Sequence, residues 1–281
     1  MADLIEPLEV LWEAPGLPAF ALPEELQRLY GGTLGFEEPR VFANFVASVD
    51  GVTAIPSLPG SNKLIAAASA SDRFVMGLLR ACADVIAIGS GTLAASPRGL
   101  WTTEQAYPPA AAGFSALREQ LGRPPQPGVV VLTASGRVDP AHPAFAAGAV
   151  ALTTDAGAAR LAGVLPSAQI LPLGEELHPA AVLDALHGRG QRLILCEGGP
   201  TALGPFLQVR LIDELFLTIS PLLTGRTGDD PRLGLVEEAD LLDARGALQA
   251  RLLGVRRDGD HLFLRYQLDT KSPGGTPPAE T

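Results

Sequence analysis

Short apolar runs alternate with amphipathic stretches along the chain, and glycine or proline marks most of the changes. "DVIAIG", "GVVVLT", "AVALTT" and "RLILC" are apolar almost throughout. Strands of that kind are buried on both faces, as in a mostly parallel sheet flanked by helices. "RVFANFVASVDGVTA" opens the series, "QILPLG" is a shorter member, and "DELFLTISPLLTG" a later one. Helical periods lie between them. "SDRFVMGLLRACA" places Phe74, Val75, Leu78, Leu79 and Cys82 on one face, with Ser71 as N-cap. "LPEELQRLYG" is a short helix with Pro23 in its first turn and Gly31 as its stop. "HPAAVLDALHGRG" is stopped by Gly188 and Gly190, and "TALGPFLQVRL" is a further short helix. "LQARLLGVRRDGDHLFLRYQL" reads as a closing antiparallel hairpin around Asp258-Gly259. The pattern predicts an α/β fold.

It also predicts three segments. Residues 1–38 form an N-terminal extension packed on the body, 39–268 the body, and 269–281 a disordered Pro/Gly-rich tail. The stretch from Leu100 to Pro127 reads as a long loop or lid with its own short helix, not as a domain boundary.

Composition narrows the function classes. With 47% apolar and 19% charged residues in 281, the chain can bury a core without staples. The net charge is −10, only two lysines occur (Lys63 and Lys271), and no basic cluster is visible. No nucleic-acid partner is expected, because phosphate binding needs a basic footprint. Cys82 and Cys196 sit inside apolar runs and read as small buried hydrophobes. Neither they nor the four scattered histidines have metal-ligand spacing, so no metal site is expected. The acidic start lacks a signal-peptide pattern, and no apolar run reaches the ~18–20 residues of a membrane span. A cytoplasmic protein without membrane contact is the expectation.

Two glycine turns carry candidate chemistry. "IGSGT" supplies Gly89, Gly91 and Thr92, and "CEGGPT" supplies Glu197, Gly198, Gly199, Pro200 and Thr201. Each follows a buried strand, where ligands of open α/β sheets bind. Glycines allow close backbone approach, and a helix N-terminus offers free N–H groups to a phosphate. The alternative for each turn is tight packing. Neither is a G-x-G-x-x-G fingerprint or a Walker loop.

Taken in order, "NFVASVDGVTA", "SDRFVMGLLRACADVIAIGSGT" and "LILCEGGPTALGPFL…LIDELFLTISPLLTG" resemble the reductase domain of the riboflavin-biosynthesis deaminase-reductases, within the dihydrofolate reductase-like fold. The resemblance implies an NADPH-dependent reductase that passes hydride to the ribose C1 of a ribosylamino-pyrimidine phosphate. It implies that both glycine turns, with Thr53 and Glu197, line the cofactor site. Glu197 would orient its turn by accepting backbone N–H bonds, or bind a cofactor ribose. Thr133, Ser135 and Arg137 of "LTASGR" would hold the adenosine 2′-phosphate. Asn44, Ser48 and Asp50 would face nicotinamide and substrate, with Asp50 as the catalytic candidate, unless it only builds the Asp-Gly turn. Arg73 suits a substrate phosphate, Arg98 is a further substrate contact, and Asp72 reads as a first-turn helix carboxylate. A homodimer is implied, to which "DELFLTISPLL" contributes unless it is core.

The sequence departs from that family in three places. Ser96 stands where a carboxylate is expected, Val52 stands where a lysine is common, and the H-x-E and P-C-x-x-C pattern of the zinc deaminase half does not occur. Two alternatives therefore stay open: a paralogue reducing a dihydropterin, dihydrofolate or other small substrate, and a non-catalytic NADPH-binding protein.

Overall fold

The computed structural model describes residues 4–243 and 246–270. The strands are β1 (Glu9–Glu13), β2 (Arg40–Ser48), β3 (Val85–Gly89), β4 (Gly128–Thr133), β5 (Val150–Thr153), β6 (Ile170–Pro172), β7 (Leu193–Cys196), β8 (Glu214–Ser220), the short pair β9 (Leu242–Asp243) and β10 (Gly246–Ala247), β11 (Ala250–Asp258) and β12 (His261–Leu268). The helices are α1 (Glu24–Tyr30), α2 (Ser61–Ile65), α3 (Ala70–Cys82), α4 (Ser90–Ala95), α5 (Thr103–Ala106), α6 (Ala111–Gln120), α7 (Pro143–Ala146), α8 (Asp155–Leu161), α9 (Pro179–His187) and α10 (Pro200–Gln208). The segment read as a tail lies, from residue 271 on, outside the described residues.

One sheet organises the molecule, in the order β1-β11-β12-β8-β2-β7-β3-β4-β5-β6. From β8 to β6 all neighbours are parallel, and β8, β12, β11 and β1 pair antiparallel. This is the mostly parallel sheet with a closing hairpin that the apolar runs imply. Every position of β3 and β7 is buried, as continuous apolar sequence requires. In β8 buried and half-buried positions alternate, and the strand lies between β12 and β2. Of "DELFLTISPLL", Phe216, Thr218 and Ser220 are buried in the core, while Leu215, Leu217 and Ile219 are half-buried on the other face and Leu223 is exposed.

Three local readings need correction. The N-cap of α3 is Ser69, whose hydroxyl accepts from the Asp72 N–H at 3.1 Å, while Ser71 lies inside the first turn and donates to Asp258 at 2.5 Å. Ser69-x-x-Asp72 is capping-box spacing, which decides between two nearby serines. The closing hairpin turns at Gly259-Asp260, since Asp258 pairs with His261 and Gly259 takes φ +54°. The stretch 100–127 is not a lid. Trp101, Tyr107, Phe114 and Leu117 are buried in the main core, and Phe74 of α3 packs on the Tyr107 and Phe114 rings at 5.8 and 6.1 Å. Gly77 makes room for this, because a Cβ there would stand 2.7 Å from the Phe114 ring.

The first 38 residues contribute edge strand β1 and core side chains including Leu26, Leu34 and Phe36. A second core, around Val41, Ala87, Ile194, Leu183 and Phe206, lies under α9 and α10 on the other face. No helix of the described residues is long and apolar enough to cross a membrane.

Fully buried Arg118 fixes the C-terminal end of α3. Its NH1 donates to the carbonyls of Arg80, Ala81 and Ala83 at 3.2, 3.2 and 2.7 Å, and its Nε to Pro124 at 2.6 Å. These carbonyls lie at the helix end, where intrahelical donors run out, and the Arg80 one also accepts from the Ala83 N–H at 3.2 Å. Arg118→Met keeps the stem but strands them. It should cost about 3 kcal/mol, read as a lower urea midpoint at unchanged slope.

Candidate active site

The carboxyl ends of β2, β7, β3 and β4 lie side by side, and the loops after them carry most of the residues singled out above. The two glycine turns meet. A Cβ on Gly198 would stand 2.9 Å from the Ala202 Cβ and 3.4 Å from the Gly89 nitrogen, and one on Gly89 would stand 3.0 Å from the same Ala202 atom. The first glycine of each turn is thus explained by packing. The second is not. A Cβ on Gly91 would meet nothing within 4 Å, and one on Gly199 only the Thr92 Oγ1 at 3.5 Å. Gly199 also N-caps α10 without a side-chain cap, with Pro200 at the first helical position and Thr201 exposed. Free N–H groups, an open approach and the Thr92 hydroxyl are therefore concentrated at one point.

Glu197 departs from expectation. Its carboxylate is held by Arg80 of α3, with Nε at 3.0 Å from Oε1 and NH2 at 2.6 Å from Oε2. Both side chains are buried, and Arg80 NH1 also reaches the Thr102 carbonyl at 3.1 Å. The guanidinium takes one lone pair on each carboxylate oxygen. Glu197 acts on its turn by tying it to α3. The pair also cancels the negative charge that would repel an anion there.

At the end of β4 the hydroxyl of buried Thr133 has no partner. Ser135 and Arg137 are exposed, and Ser135 Oγ accepts from the Arg137 N–H at 3.3 Å. Gly136, at φ +64°, lets the turn pass α8, because a Cβ there would be 2.5 Å from the Gly157 carbonyl oxygen. Arg160 of α8 donates to the Ser135 carbonyl and brings a second guanidinium to this loop. Sequence reading missed it, although "TTDAGAAR" repeats the strand-to-helix step seen at the glycine turns.

At the end of β2 the candidate residues have partners within the protein. The Asp50 carboxylate accepts from Ser48 Oγ at 2.5 Å, the Gly225 N–H at 2.7 Å and the Thr224 N–H at 3.3 Å. The Ser48 hydroxyl, then those N–H groups, hold its pKa down at about 2. Such a carboxylate is a poor proton donor near neutrality. Buried Ser48 also accepts from the Val52 N–H at 3.0 Å, and Thr53 Oγ1 donates to the Gly234 carbonyl at 2.7 Å. Ser48, Asp50 and Thr53 thus bind the segment 222–234 to the turn after β2.

Arg73 is half-buried, with NH1 on the Ala68 carbonyl at 3.1 Å, and Arg98 is exposed beyond α4. The Ser96 carbonyl accepts from His142 Nε2 at 2.9 Å. Asn44 is half-buried in β2 and lines a small cavity with Val75 and Thr218. The unforeseen member is Asp72. It is 5% exposed, and burial lifts its pKa to about 6 although the Thr218 hydroxyl hydrogen-bonds it. In sequence it looked like an ordinary first-turn acid. Its burial comes from β8, which no local pattern shows. Burial also pushes the thiols of Cys82 and Cys196 up to about 12, as befits inert core cysteines. Among the described residues no group of three or more His, Cys, Asp or Glu is placed to hold a metal.

The two aspartates shift in opposite directions. Asp50 titrates near 3.8 unfolded and about 2 folded, so its stabilisation is complete above pH 4 and lost as the pH falls through 2. Asp50→Asn should show a shallower loss of urea midpoint across that window. Asp72 titrates near 3.8 unfolded and about 6 folded, so it costs stability as the pH rises from 4 past 6. Asp72→Asn should match the parent below pH 4 and exceed it by about 2–3 kcal/mol at pH 8, measured by urea unfolding.

Comparison with known proteins places this geometry. A 2,5-diamino-6-ribosylamino-4(3H)-pyrimidinone 5′-phosphate reductase of Archaeoglobus fulgidus is 28% identical over 191 residues, covering 66% of this chain and 82% of the relative. A pyrimidine reductase-like protein of Corynebacterium diphtheriae superimposes with a TM-score of 0.64 at 21% identity, over 88% of this chain and 95% of the other. The diaminohydroxyphosphoribosylaminopyrimidine deaminase/5-amino-6-(5-phosphoribosylamino)uracil reductase of Thermotoga maritima gives 0.60 at 17% identity, over 82% of this chain but 57% of that longer one. The sequence profile of the RibD C-terminal domain matches residues 39–264, and the chain belongs to that family.

Proposed function

We propose that the protein is an NADPH-dependent reductase of riboflavin biosynthesis that acts on a ribosylamino-pyrimidine phosphate. The observation that carries this reading is the meeting of the two glycine turns, with Gly91 and Gly199 open at the head of α10. Backbone N–H groups there, with Thr92 and Thr201, suit a pyrophosphate. Family membership and the reductase named in the archaeal relative supply the reaction class.

A bound nicotinamide supplies the hydride, and the protein contributes binding and orientation. The residues present fit such a cofactor at several points. The unpartnered Thr133 hydroxyl, Ser135, Arg137 and Arg160 cluster at one loop, where a 2′-phosphate would find two guanidinium groups. The Arg80–Glu197 pair fixes the second glycine turn and leaves it electrically neutral. Asn44 presents an amide to the cavity beside α3, and Arg73 and Arg98 provide positive charge for a substrate phosphate. A cytoplasmic homodimer belongs to the same reading. Sedimentation of the pure protein checks the dimer.

Titration with NADPH and NADH, followed by fluorescence, tests the cofactor site. Micromolar NADPH binding, much tighter than NADH, is expected. Arg137→Ala should weaken NADPH about tenfold or more and leave NADH unchanged, as loss of one charge-assisted phosphate contact implies. Binding of neither nucleotide would sink the reading. Binding without turnover on any pyrimidine would favour a non-catalytic role.

A further inference from the structure

We infer that the small cavity between the sheet and helices α1 and α3 binds one monovalent anion of chloride size, received by Arg256, Arg265 and Tyr30, and that this anion fastens the N-terminal segment to the body. The inference does not depend on the reductase reading. The segment it concerns precedes the residues that match the reductase family, 39–264.

Two rows of side chains on one face of the sheet make the cavity floor. In the first, Asn44 of β2, Phe216 of β8 and Arg265 of β12 lie side by side, and the row ends at Gly254 of β11. In the second, Thr218, Phe263 and Arg256 lie side by side. Residues two apart on a strand share a face, so both rows face the same way. Gly254 decides where Arg256 goes. A Cβ there would stand 3.2 Å from Arg256 NH1, so NH1 sits over the glycine, in the row of Arg265. Tyr30 of α1 and Val75 of α3 complete the lining, and the room enclosed suits one water molecule or one halide ion.

Both guanidinium groups are anchored by their other nitrogens. Arg256 Nε donates to the Tyr30 carbonyl at 2.8 Å and NH2 to Glu13, and the guanidinium carbon lies 3.9 Å from the centre of the Tyr30 ring. Arg265 Nε donates to Glu214 at 2.7 Å and NH2 to the Gly35 carbonyl at 2.9 Å. Each is fixed with NH1 left over. Arg256, Arg265 and Tyr30 are only 2%, 4% and 4% exposed. Among the described residues neither NH1, nor the Tyr30 hydroxyl, nor the Asn44 amide has a hydrogen-bond partner. Burial raises the Tyr30 pKa against the pull of both guanidinium groups, so the hydroxyl keeps its proton and can donate. Buried polar groups are normally satisfied, and four orphans around one small space point to something bound there.

The chemistry of the lining chooses the occupant. It holds two cations and no carboxylate. Glu13 and Glu214 reach other nitrogens of the guanidinium groups, and Glu214 also serves Arg40, whose Nε is 3.7 Å away. A cation is repelled by such a lining. Phosphate and sulfate lack room. A water brings no charge and accepts fewer hydrogen bonds than the lining offers. A halide accepts from all of these donors and offsets positive charge where little water screens it. Bound there, it joins Tyr30 of the N-terminal segment to β11 and β12 of the body.

The test uses the full chain at constant ionic strength, with sodium chloride replaced stepwise by sodium gluconate, whose anion is too large for the cavity. The melting temperature is expected to rise with chloride along a saturating curve, as binding to the folded state alone requires, and bromide should reproduce it. Tyr30→Phe keeps the ring under Arg256 and removes one donor to the anion. It should melt like the parent in gluconate and need about tenfold more chloride for half the stabilisation. Hydrogen exchange of Glu9–Glu13 and Glu24–Tyr30 should be slower in chloride than in gluconate. Crystals grown in sodium bromide should show an anomalous peak touching NH1 of Arg256 and of Arg265. A cavity without bromide, a melting temperature indifferent to the anion, or an unchanged chloride dependence in Tyr30→Phe overturns the inference. Bromide in the cavity without stabilisation marks an adventitious ion only and overturns the fastening role.

Discussion

The ion pair between Arg80 and Glu197 joins the two halves of the site. Arg80 sits near the end of α3, a helix held at its C-terminal end by Arg118 and at its N-terminal end by Ser69 and by the Ser71–Asp258 contact. Glu197 sits between the buried strand β7 and the Gly198-Gly199 turn. A bidentate contact across that gap sets the distance between the glycine turn and the last turn of α3. Burying two charges is costly, and such a pair need not beat well-packed hydrophobic residues in stability. Removing one partner alone strands a charge, at about 3–5 kcal/mol. What the pair provides is position. One loop cannot drift while the other element stays.

The fold was legible where burial leaves a local mark. Strands covered on both faces must be apolar at every residue, so β3, β4, β5 and β7 could be read directly, and with them the sheet whose carboxyl ends carry the site. Elements defined by a distant partner could not. "EVLWE" becomes β1 only because β11 lies alongside, and it keeps Val10, Leu11 and Trp12 more than two-fifths exposed. The connection 100–127 looked like a lid because prolines dominate its text, while Trp101, Tyr107 and Phe114 were the better guide to its burial. The site divides the same way. Glycine turns after apolar strands announce themselves. A carboxylate in the first turn of a helix is ordinary until β8 covers it, and an arginine such as Arg160 is ordinary until its helix meets the loop after β4.

The segment after β8 has a structural part that resemblance assigned to catalysis. Asp50, Ser48 and Thr53 fasten residues 222–234 to the turn after β2, and Ser57 adds a contact to Asp230 at 2.6 Å. Further along, Glu237 crosses α10 at Gly204, where a Cβ would stand 2.0 Å from the Glu237 carbonyl oxygen. The strap therefore links the β2 turn to the helix whose N-terminus opens on the glycine turns. A residue motif shared with a reductase family can mark the frame of a site as well as its reacting groups.

Asp50 and Asp72 show how environment separates two identical side chains. Asp50 is partly solvated and accepts from four donors, so its charge is complete and it holds backbone. Asp72 has lost its water and gained a single hydroxyl from Thr218, and burial outweighs that bond. Asp72 carries its charge at a cost that the single Thr218 hydroxyl only partly offsets. The approach to α3 is strained as well, since Ala67 and Ala68 both take positive φ just before the Ser69 cap. Left-handed alanines cost about 1–2 kcal/mol each, and they set the direction in which α3 starts, with Asp72 in its first turn beside Thr218 of β8.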